Sequence, residues 1–135
     1  MRTGFKEVEK QIDRLGSRWG IRNESLFRAT VTSLLEKFFG VKVEKRFLGP
    51  DDEEFDIIIS NGDHILVEIA AGAKANIVSR LERKRRLYIT ETGITPERFI
   101  LAVASIHSQR AQALREAGFE VIEPEDEVEG AEPAS

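Results

Sequence analysis

Two acidic residues interrupt apolar stretches of the chain. Asp56 directly precedes the run Ile57-Ile58-Ile59, and Glu68 directly follows the run Ile65-Leu66-Val67. Mg²⁺ is typically held by one or two carboxylates together with waters and substrate phosphate. The pair therefore indicates a site for a hard divalent cation, Mg²⁺ or Mn²⁺. The alternative is that one or both acids lie at a sheet edge in water.

The loop between the two strands decides whether the two acids share a side of the sheet. A three-residue loop, Asn61-Gly62-Asp63, pairs Ser60 with His64 and places Asp56 directly opposite Glu68. Facing residues of this kind have Cβ atoms about 4.5–5.5 Å apart. A two-residue loop shifts the register by one and places the acids on opposite faces. We predict the three-residue loop, and the metal prediction depends on it.

Hydrophobic periodicity predicts an α/β fold with a mixed sheet flanked by helices, in the order α-α-βββ-α-β-α-β. Helices follow from apolar residues three and four apart, and strands from alternation or short apolar runs. The predicted elements are an amphipathic segment 5–19, helix 24–39, strands 41–47, 54–60 and 64–70, helix 76–91, strand 98–104, helix 108–117 and strand 119–122. The strand at 98–104 is nearly continuously apolar, which predicts that it is covered on both faces.

The first segment has the spacing of a coiled-coil seam. Phe5, Val8, Ile12, Leu15 and Trp19 follow one another at intervals of three and four residues, as positions a and d of a heptad do. Either this helix packs on its own domain, or it joins two chains into a homodimer. We divide the chain into this helix (1–19), a main domain (20–122) and an acidic tail (123–135).

Composition excludes several classes of chemistry. The 135 residues include no cysteine and two histidines, so disulfides, a thiolate nucleophile and a zinc–thiolate site are excluded. The histidines lack partners at ligand spacing, and we expect structural roles for both.

No apolar run is long enough to span a bilayer, and the first residues lack the pattern of a signal peptide. We therefore expect a soluble, cytoplasmic protein without a membrane partner. Abundant Glu, Lys and Arg beside three Asn and three Gln suggest a thermophilic source.

Charge is distributed unevenly. The net charge is −4, but six acidic residues and no basic ones lie from Glu123 onwards, which leaves 20 basic and 18 acidic residues before it. The acidic end, which also carries two prolines, is typical of a disordered tail. A basic cluster lies on the helix at 76–91: Arg80, Arg83, Lys84, Arg85 and Arg86. It is either a solvated helix face or a surface that contacts a phosphate backbone.

The predicted elements include a helix with an acid, three strands with Asp on the second and Glu on the third, then a helix and a strand. This order of elements and acids resembles the PD-(D/E)XK nuclease superfamily. Within this superfamily, the chain resembles more narrowly a mostly archaeal group. Three stretches carry that resemblance: Arg18-Trp19-Gly20-Ile21-Arg22-Asn23-Glu24, Glu68-Ile69-Ala70 and Arg83-Lys84-Arg85-Arg86-Leu87-Tyr88. That group carries an N-terminal coiled coil and is often described only as a domain of unknown function. The resemblance covers roughly residues 18–122. It implies a restriction-endonuclease-like core, α-βββ-α-β with a further α-β.

The resemblance also implies roles for individual residues. Asp56 and Glu68 would be ligands of Mg²⁺ or Mn²⁺, and the main-chain carbonyl of Ile69 a further ligand. Glu24 would be the helix acid that supports the site, ahead of Glu36, although an acid in a first helical turn also complements the helix dipole. The partner would be nucleic acid, DNA in the first instance, contacted by four arginines: Arg80, Arg83, Arg85 and Arg86.

One position departs from the superfamily's pattern, because Ala70 stands where the resemblance implies a lysine. That lysine would position the attacking water and stabilise the charged transition state. The site is inactive, or the lysine has moved elsewhere in the chain, or Ala70 is a deliberate Lys→Ala change. Lys74 and Lys84 are the candidates for a relocated lysine. The alternatives are a solvated Lys74 and a Lys84 whose stem is buried while its ammonium reaches water.

These inferences favour a metal-dependent nuclease that binds nucleic acid and hydrolyses phosphodiester bonds, weakened or silenced by Ala70. The alternative is a catalytically silent nuclease-fold module that binds or dimerises. A third interpretation, a scaffold independent of nucleic acid, predicts no salt-dependent affinity for DNA.

Overall fold

The computed structural model describes residues 6–11 and 24–123. Residues 6–11 are helical, and the main domain contains three further helices and five strands. In chain order these are α1 (Glu24–Phe39), β1 (Glu44–Leu48), β2 (Glu53–Ser60), β3 (Asp63–Gly72), α2 (Ile77–Thr92), β4 (Arg98–Ser105), α3 (Ser108–Glu116) and β5 (Glu120–Ile122). Each element predicted between residues 24 and 123 is present, with its ends within a few residues of the predicted ones.

The five strands form one mixed sheet in the order β1-β2-β3-β4-β5. β1, β2 and β3 are antiparallel neighbours, and β3, β4 and β5 are parallel. β4 is buried along nearly its whole length, as its apolar sequence predicted. The predicted α/β class is confirmed.

Two hydrophobic cores cover the two faces of the sheet. On one face α1 packs through Phe27, Val31 and Leu35, and we call this the α1 face. On the other face α2 and α3 cover the sheet, and we call this the α2 face. Because side chains alternate along a strand, Ile58 of β2 lies on the α1 face, whereas Ile57 lies on the α2 face.

The ends of α1 follow local rules. Gly40 adopts a positive φ of 75°, and its amide donates to the carbonyl of Glu36 at 2.8 Å, which closes the helix in the way that glycine favours. The carboxylate of Glu36 accepts a hydrogen bond from the amide of Val43 at 2.7 Å. Glu36 therefore holds the turn that leads from α1 into β1.

The hairpin between β2 and β3 has a two-residue loop, so the predicted three-residue loop is wrong. Ser60 pairs with Asp63, and Asn61 and Gly62 both have positive φ, 55° and 83°. An Asn-Gly pair in this conformation matches the twist of the two strands. Asp56 consequently faces Val67. Asp56 lies on the α1 face and Glu68 on the α2 face, so the prediction that the acids face each other is also wrong.

The ends of the chain are described only in part. Val8 is buried in the core on the α1 face, so this position of the predicted seam packs against the main domain. The other four seam residues and residues 124–135 lie outside the described residues, and the predictions of a coiled coil and of an acidic tail remain predictions. Within residues 6–11 and 24–123, no helix is long and apolar enough to cross a membrane.

Candidate active site

The strands β2 and β3 part at the acidic residues. They pair from Ser60–Asp63 up to Asp56–Val67, although β2 begins at Glu53 and β3 continues to Gly72. Beyond Asp56, β2 pairs with β1, and beyond Val67, β3 pairs with β4. We call the gap between residues 53–55 of β2 and 68–72 of β3 the fork. Asp56 lies at its base on one strand, and Glu68 lies just beyond its base on the other.

Asp56 carries negative charge in a partly buried position. Its side chain is 15% exposed, and its Oδ1 lies 3.4 Å from the ammonium of Lys45. Burial is the main reason why the pKa of Asp56 lies above its ordinary value; Lys45 opposes the shift, and the charges of Glu54 and Glu68 add to it. The two carboxylates point to different faces of the sheet, and the charge of Glu68 is the smallest of these influences on Asp56.

Glu68 is held by two cations of α2. Its Oε1 accepts a hydrogen bond from the ammonium of Lys84 at 3.0 Å, and its Oε2 accepts one from the guanidinium of Arg80 at 3.2 Å. The side chain is 19% exposed. Glu68 is therefore neutralised by the protein itself, yet remains open to solvent.

Lys84 places a buried ammonium at the fork. Its side chain is 7% exposed. Besides Glu68, the ammonium donates to the carbonyl of Glu54 at 2.8 Å and lies 4.7 Å from the ring centre of Phe55. The interpretation of Lys84 as a side chain reaching into water is wrong. The sequence did carry the signal, because the buried stripe of α2 consists of Ile77, Leu81, Lys84 and Tyr88.

A second lysine lies beside Asp56, and sequence reasoning missed it. Lys45 of β1 pairs with Asp56 across the strands, and its ammonium lies 2.7 Å from Oε2 of Glu54. The hydrogen bond to Glu54 raises the pKa of Lys45, and the same contact lowers the pKa of Glu54. No local signal reveals this cluster, because it depends on the register between β1 and β2.

The two helix acids differ in position. Glu24 is exposed and pairs with Arg28 one turn later, at 3.1 Å. Glu36 instead holds the turn to β1. The preference for Glu24 over Glu36, and a role of Glu24 at a metal site, remain predictions.

The remaining predicted positions around β3 separate into buried and exposed ones. The side chain of Ile69 is buried in the core on the α1 face. Ala70 packs against the core on the α2 face, the same face as Glu68. Lys74 is exposed before α2, while its carbonyl accepts a hydrogen bond from the amide of Ile77. Lys84, rather than Lys74, reaches Glu68 within the described structure.

The basic cluster of α2 is largely engaged within the domain. Arg80 binds Glu68, and Arg83 binds both carboxylate oxygens of Glu53 at 3.0 and 3.3 Å. The guanidinium of Arg85 lies 4.5 Å from the ring centre of Phe119. Arg86 is exposed. The cluster thus combines structural contacts with charge that remains near the surface.

Both histidines have structural contacts, as expected. Nδ1 of His64 and the hydroxyl of Tyr88 share a hydrogen bond. His107 precedes α3, and its Nδ1 accepts a hydrogen bond from the amide of Gln109 at 3.2 Å. Neither histidine belongs to the candidate site, whose charged side chains in the described structure are carboxylates, lysines and Arg80.

Comparison with known families agrees with this geometry. The family model of the PD-(D/E)XK nuclease superfamily matches residues 51–119, just over half of the chain, from the turn before β2 to the residue before β5. The chain belongs to the PD-(D/E)XK nuclease superfamily. A second family model, a protein of unknown function (DUF3782), matches residues 1–53. No curated protein and no solved structure matches the chain significantly.

The architecture is that of a PD-(D/E)XK nuclease domain. A mixed five-stranded sheet with flanking helices corresponds to the restriction-endonuclease-like fold. The match contains Asp56, Glu68, Ala70 and Lys84, and thus the whole fork. It also contains all four arginines of the predicted nucleic-acid surface.

PD-(D/E)XK nucleases typically use divalent metal ions, but the structure lacks the face-to-face arrangement of Asp56 and Glu68 on which the metal prediction from the sequence depended. In the parts of the chain that the structure describes, no three His, Asp or Glu residues are grouped so as to enclose a metal. Mg²⁺ keeps several of its waters and needs no complete cage of protein ligands. A metal ion held by Asp56 and Glu68 is therefore a proposal that rests on the family resemblance.

Proposed function

We propose that this PD-(D/E)XK domain is a metal-dependent nuclease that binds DNA and hydrolyses phosphodiester bonds at the fork. The observation that carries the proposal is the buried ammonium of Lys84, which donates a hydrogen bond to Glu68 at the fork. Asp56 lies at the base of the same fork on the neighbouring strand.

Asp56 and Glu68 would hold Mg²⁺ or Mn²⁺, with the carbonyl of Ile69 as a further ligand and Glu24 supporting the site. When bound, such an ion lowers the pKa of a coordinated water and neutralises charge on the phosphate. The chain contributes fixed geometry. The carbonyl of Glu54 and the ring of Phe55 hold the ammonium of Lys84 in place, so its charge is available without reorganisation.

Lys84 takes the role of the lysine that the superfamily's pattern places at position 70. Glu68 and Ala70 lie two residues apart on one strand and therefore on one face. Lys84 reaches that face from α2 and contacts the carboxylate of Glu68 at 3.0 Å. Because residues 68 and 70 share this face, we expect a lysine at position 70 to reach Glu68 as well, and an exchange of the two positions tests this.

Nucleic acid would meet the arginines of α2. Arg86 is exposed, and Arg80 and Arg83 stay partly accessible beside their acidic partners. Phosphate contacts of this kind give salt-dependent affinity. We also propose a homodimer formed through residues of the segment 1–19 other than Val8, which packs against the main domain. Sedimentation velocity would detect it as a concentration-dependent doubling of mass.

One observation favours a second function, a catalytically silent module that binds or dimerises. Arg80 and Lys84 already neutralise Glu68, so the fork is electrostatically satisfied on that side without a metal ion. A silent module need not bind a divalent ion at Asp56 and Glu68.

Cleavage of supercoiled plasmid and of circular single-stranded DNA with Mn²⁺ or Mg²⁺ tests the proposal. The unchanged protein is compared with Asp56→Asn, Lys84→Met, Ala70→Lys and the Lys84→Met/Ala70→Lys double variant. We expect cleavage by the unchanged protein, none by Asp56→Asn, and a loss of roughly 10²–10³ in rate for Lys84→Met, as for removal of one charge-stabilising donor. The double variant should regain part of the rate.

Two outcomes would overturn parts of the proposal. If Ala70→Lys is the one protein that cleaves DNA, the metal site is intact but Lys84 does not replace the lysine that the superfamily's pattern places at position 70. If no variant cleaves either substrate, the silent module becomes the leading function.

A further inference from the structure

The side chain of Phe47 is exposed at the edge strand of the sheet. It is 58% exposed, more than any other large apolar side chain among the described residues. A single exposed apolar residue is ordinary by itself. Phe47 differs through its position, because β1 is an edge strand and Phe47 pairs with Glu54 of β2, a residue that borders the fork.

The strand register fixes those neighbours. Lys45 faces Asp56 and Phe47 faces Glu54, and all four side chains lie on the α1 face because the residues alternate along each strand. Lys45 and Phe47 are two residues apart, about 7 Å along the strand. An aromatic residue and a lysine thus share one face of the edge strand, at the end of the sheet where β2 and β3 part.

The ammonium of Lys45 remains accessible. Its side chain is 61% exposed although it pairs with Glu54, and exposed pairs of this kind are weak. Lys45 can therefore turn toward a phosphate without a large loss of stability. The ring gives apolar contact and the ammonium gives positive charge, which together match one nucleotide.

We propose that Phe47 stacks on the base of an unpaired nucleotide while Lys45 faces its phosphate, so that the substrate class is single-stranded nucleic acid or an unpaired end. This inference rests on the proposed function. In a duplex the faces of the bases are covered by their neighbours, and a protruding ring at a sheet edge meets only the backbone. In a single strand each base has a free face on which an aromatic side chain can stack.

The test measures binding of a fluorescein-labelled oligo(dT) and of a duplex of the same length by fluorescence anisotropy. Titrations are done at one salt concentration, in EDTA and in parallel with Ca²⁺. Phe47→Leu removes the aromatic face and keeps an apolar side chain, and Phe47→Trp keeps an aromatic face. Ile94→Ala is the matched control, because Ile94 is also a large exposed apolar residue but lies between α2 and β4, away from the fork.

We expect Phe47→Leu to weaken binding of oligo(dT) by roughly 5- to 100-fold, the range found when one base–aromatic stack is removed. Phe47→Trp should bind oligo(dT) as the unchanged protein does. Ile94→Ala should leave both affinities unchanged, and no variant should alter binding of the duplex. The melting temperature of Phe47→Leu should equal that of the unchanged protein because the ring is exposed.

Other results overturn the inference in distinguishable ways. Equal affinities of Phe47→Leu and the unchanged protein, or equal losses for oligo(dT) and duplex, reject stacking and leave the proposed nuclease function standing. A change from dimer to monomer in Phe47→Leu, seen by sedimentation velocity, would identify the ring as a contact between two copies. If the unchanged protein binds neither probe, in EDTA or with Ca²⁺, both the inference and the proposed function fail.

Discussion

At the scale of single residues, Asp56 is a partly buried carboxylate whose pKa is raised, mainly by burial. Its raised pKa means that the native state binds a proton more tightly than the unfolded state does. The free energy of unfolding therefore falls as pH rises from the ordinary value of 3.8 through the raised pKa, and the penalty persists above that window. A bound cation would remove this penalty.

We expect Asp56→Asn to be more stable than the unchanged protein at neutral pH in EDTA, and to lose the fall in stability across that window. Urea unfolding followed at several pH values measures both effects. Glu54→Gln is the control of opposite sign, because the pKa of Glu54 is lowered and its contribution to stability is lost as pH falls. A destabilised Asp56→Asn at neutral pH would contradict the account.

Lys84 should matter for folding as well as for catalysis. Lys84→Met keeps the apolar stem but removes the donor to Glu68 and to the carbonyl of Glu54. Leaving such buried groups unsatisfied costs about 1–3 kcal/mol, which urea unfolding would detect. Arg86→Met, on the same helix but exposed, should change stability by less than about 0.5 kcal/mol. Equal stabilities would show that Lys84 is not held as described.

The sequence singled out the acids of the candidate site but not their arrangement. Asp56 and Glu68 are visible because each interrupts an apolar run, and Lys84 because it falls on the apolar stripe of α2. Lys45 was not predictable, because its contact with Asp56 exists only once β1 and β2 are paired. Nothing in the local pattern of β3 indicated that Glu68 is bound by two cations from α2.

At the scale of elements, periodicity predicted the helices and strands well because each element buries one or two regular faces. The register of the hairpin was predicted incorrectly, because both loop lengths are compatible with the apolar pattern of the strands. The conformations of Asn61 and Gly62, with positive φ, decide it. The fork was not predicted either, because it depends on the point at which β2 and β3 stop pairing with each other, and the sequence of either strand does not show that point.

Gly62 offers a test of the hairpin. At its φ of 83° an alanine would meet no neighbouring atom within 4 Å, so the cost of Gly62→Ala comes from the backbone alone. Left-handed backbone costs a residue with a Cβ about 1–2 kcal/mol, and we expect that loss in urea unfolding. Gly72→Ala is the control, since it would make only an ordinary contact with the carbonyl of Ser105 at 3.7 Å. A neutral Gly62→Ala would argue against the two-residue loop.

At the scale of the whole molecule, charge should control access to nucleic acid. The net charge is −4, and residues 124–135 contain five acidic residues and no basic ones. Removing them should strengthen binding of DNA at low salt, and the difference should shrink as salt increases because screening weakens it. Anisotropy titrations over a range of salt concentrations measure this. A full-length variant with Gln or Asn in place of the five acids should behave like the truncated chain; a loss of affinity on truncation would contradict the prediction.

The most direct test of the central claim is a calorimetric titration of the protein with Mn²⁺, compared with Asp56→Asn and Glu68→Gln. If the two carboxylates bind one ion together across the fork, the unchanged protein binds Mn²⁺ and each variant binds it at least roughly 10- to 100-fold more weakly, the range known for groups that merely support a metal site. Equal Mn²⁺ affinity in all three proteins, or no binding to the unchanged protein, would contradict the claim.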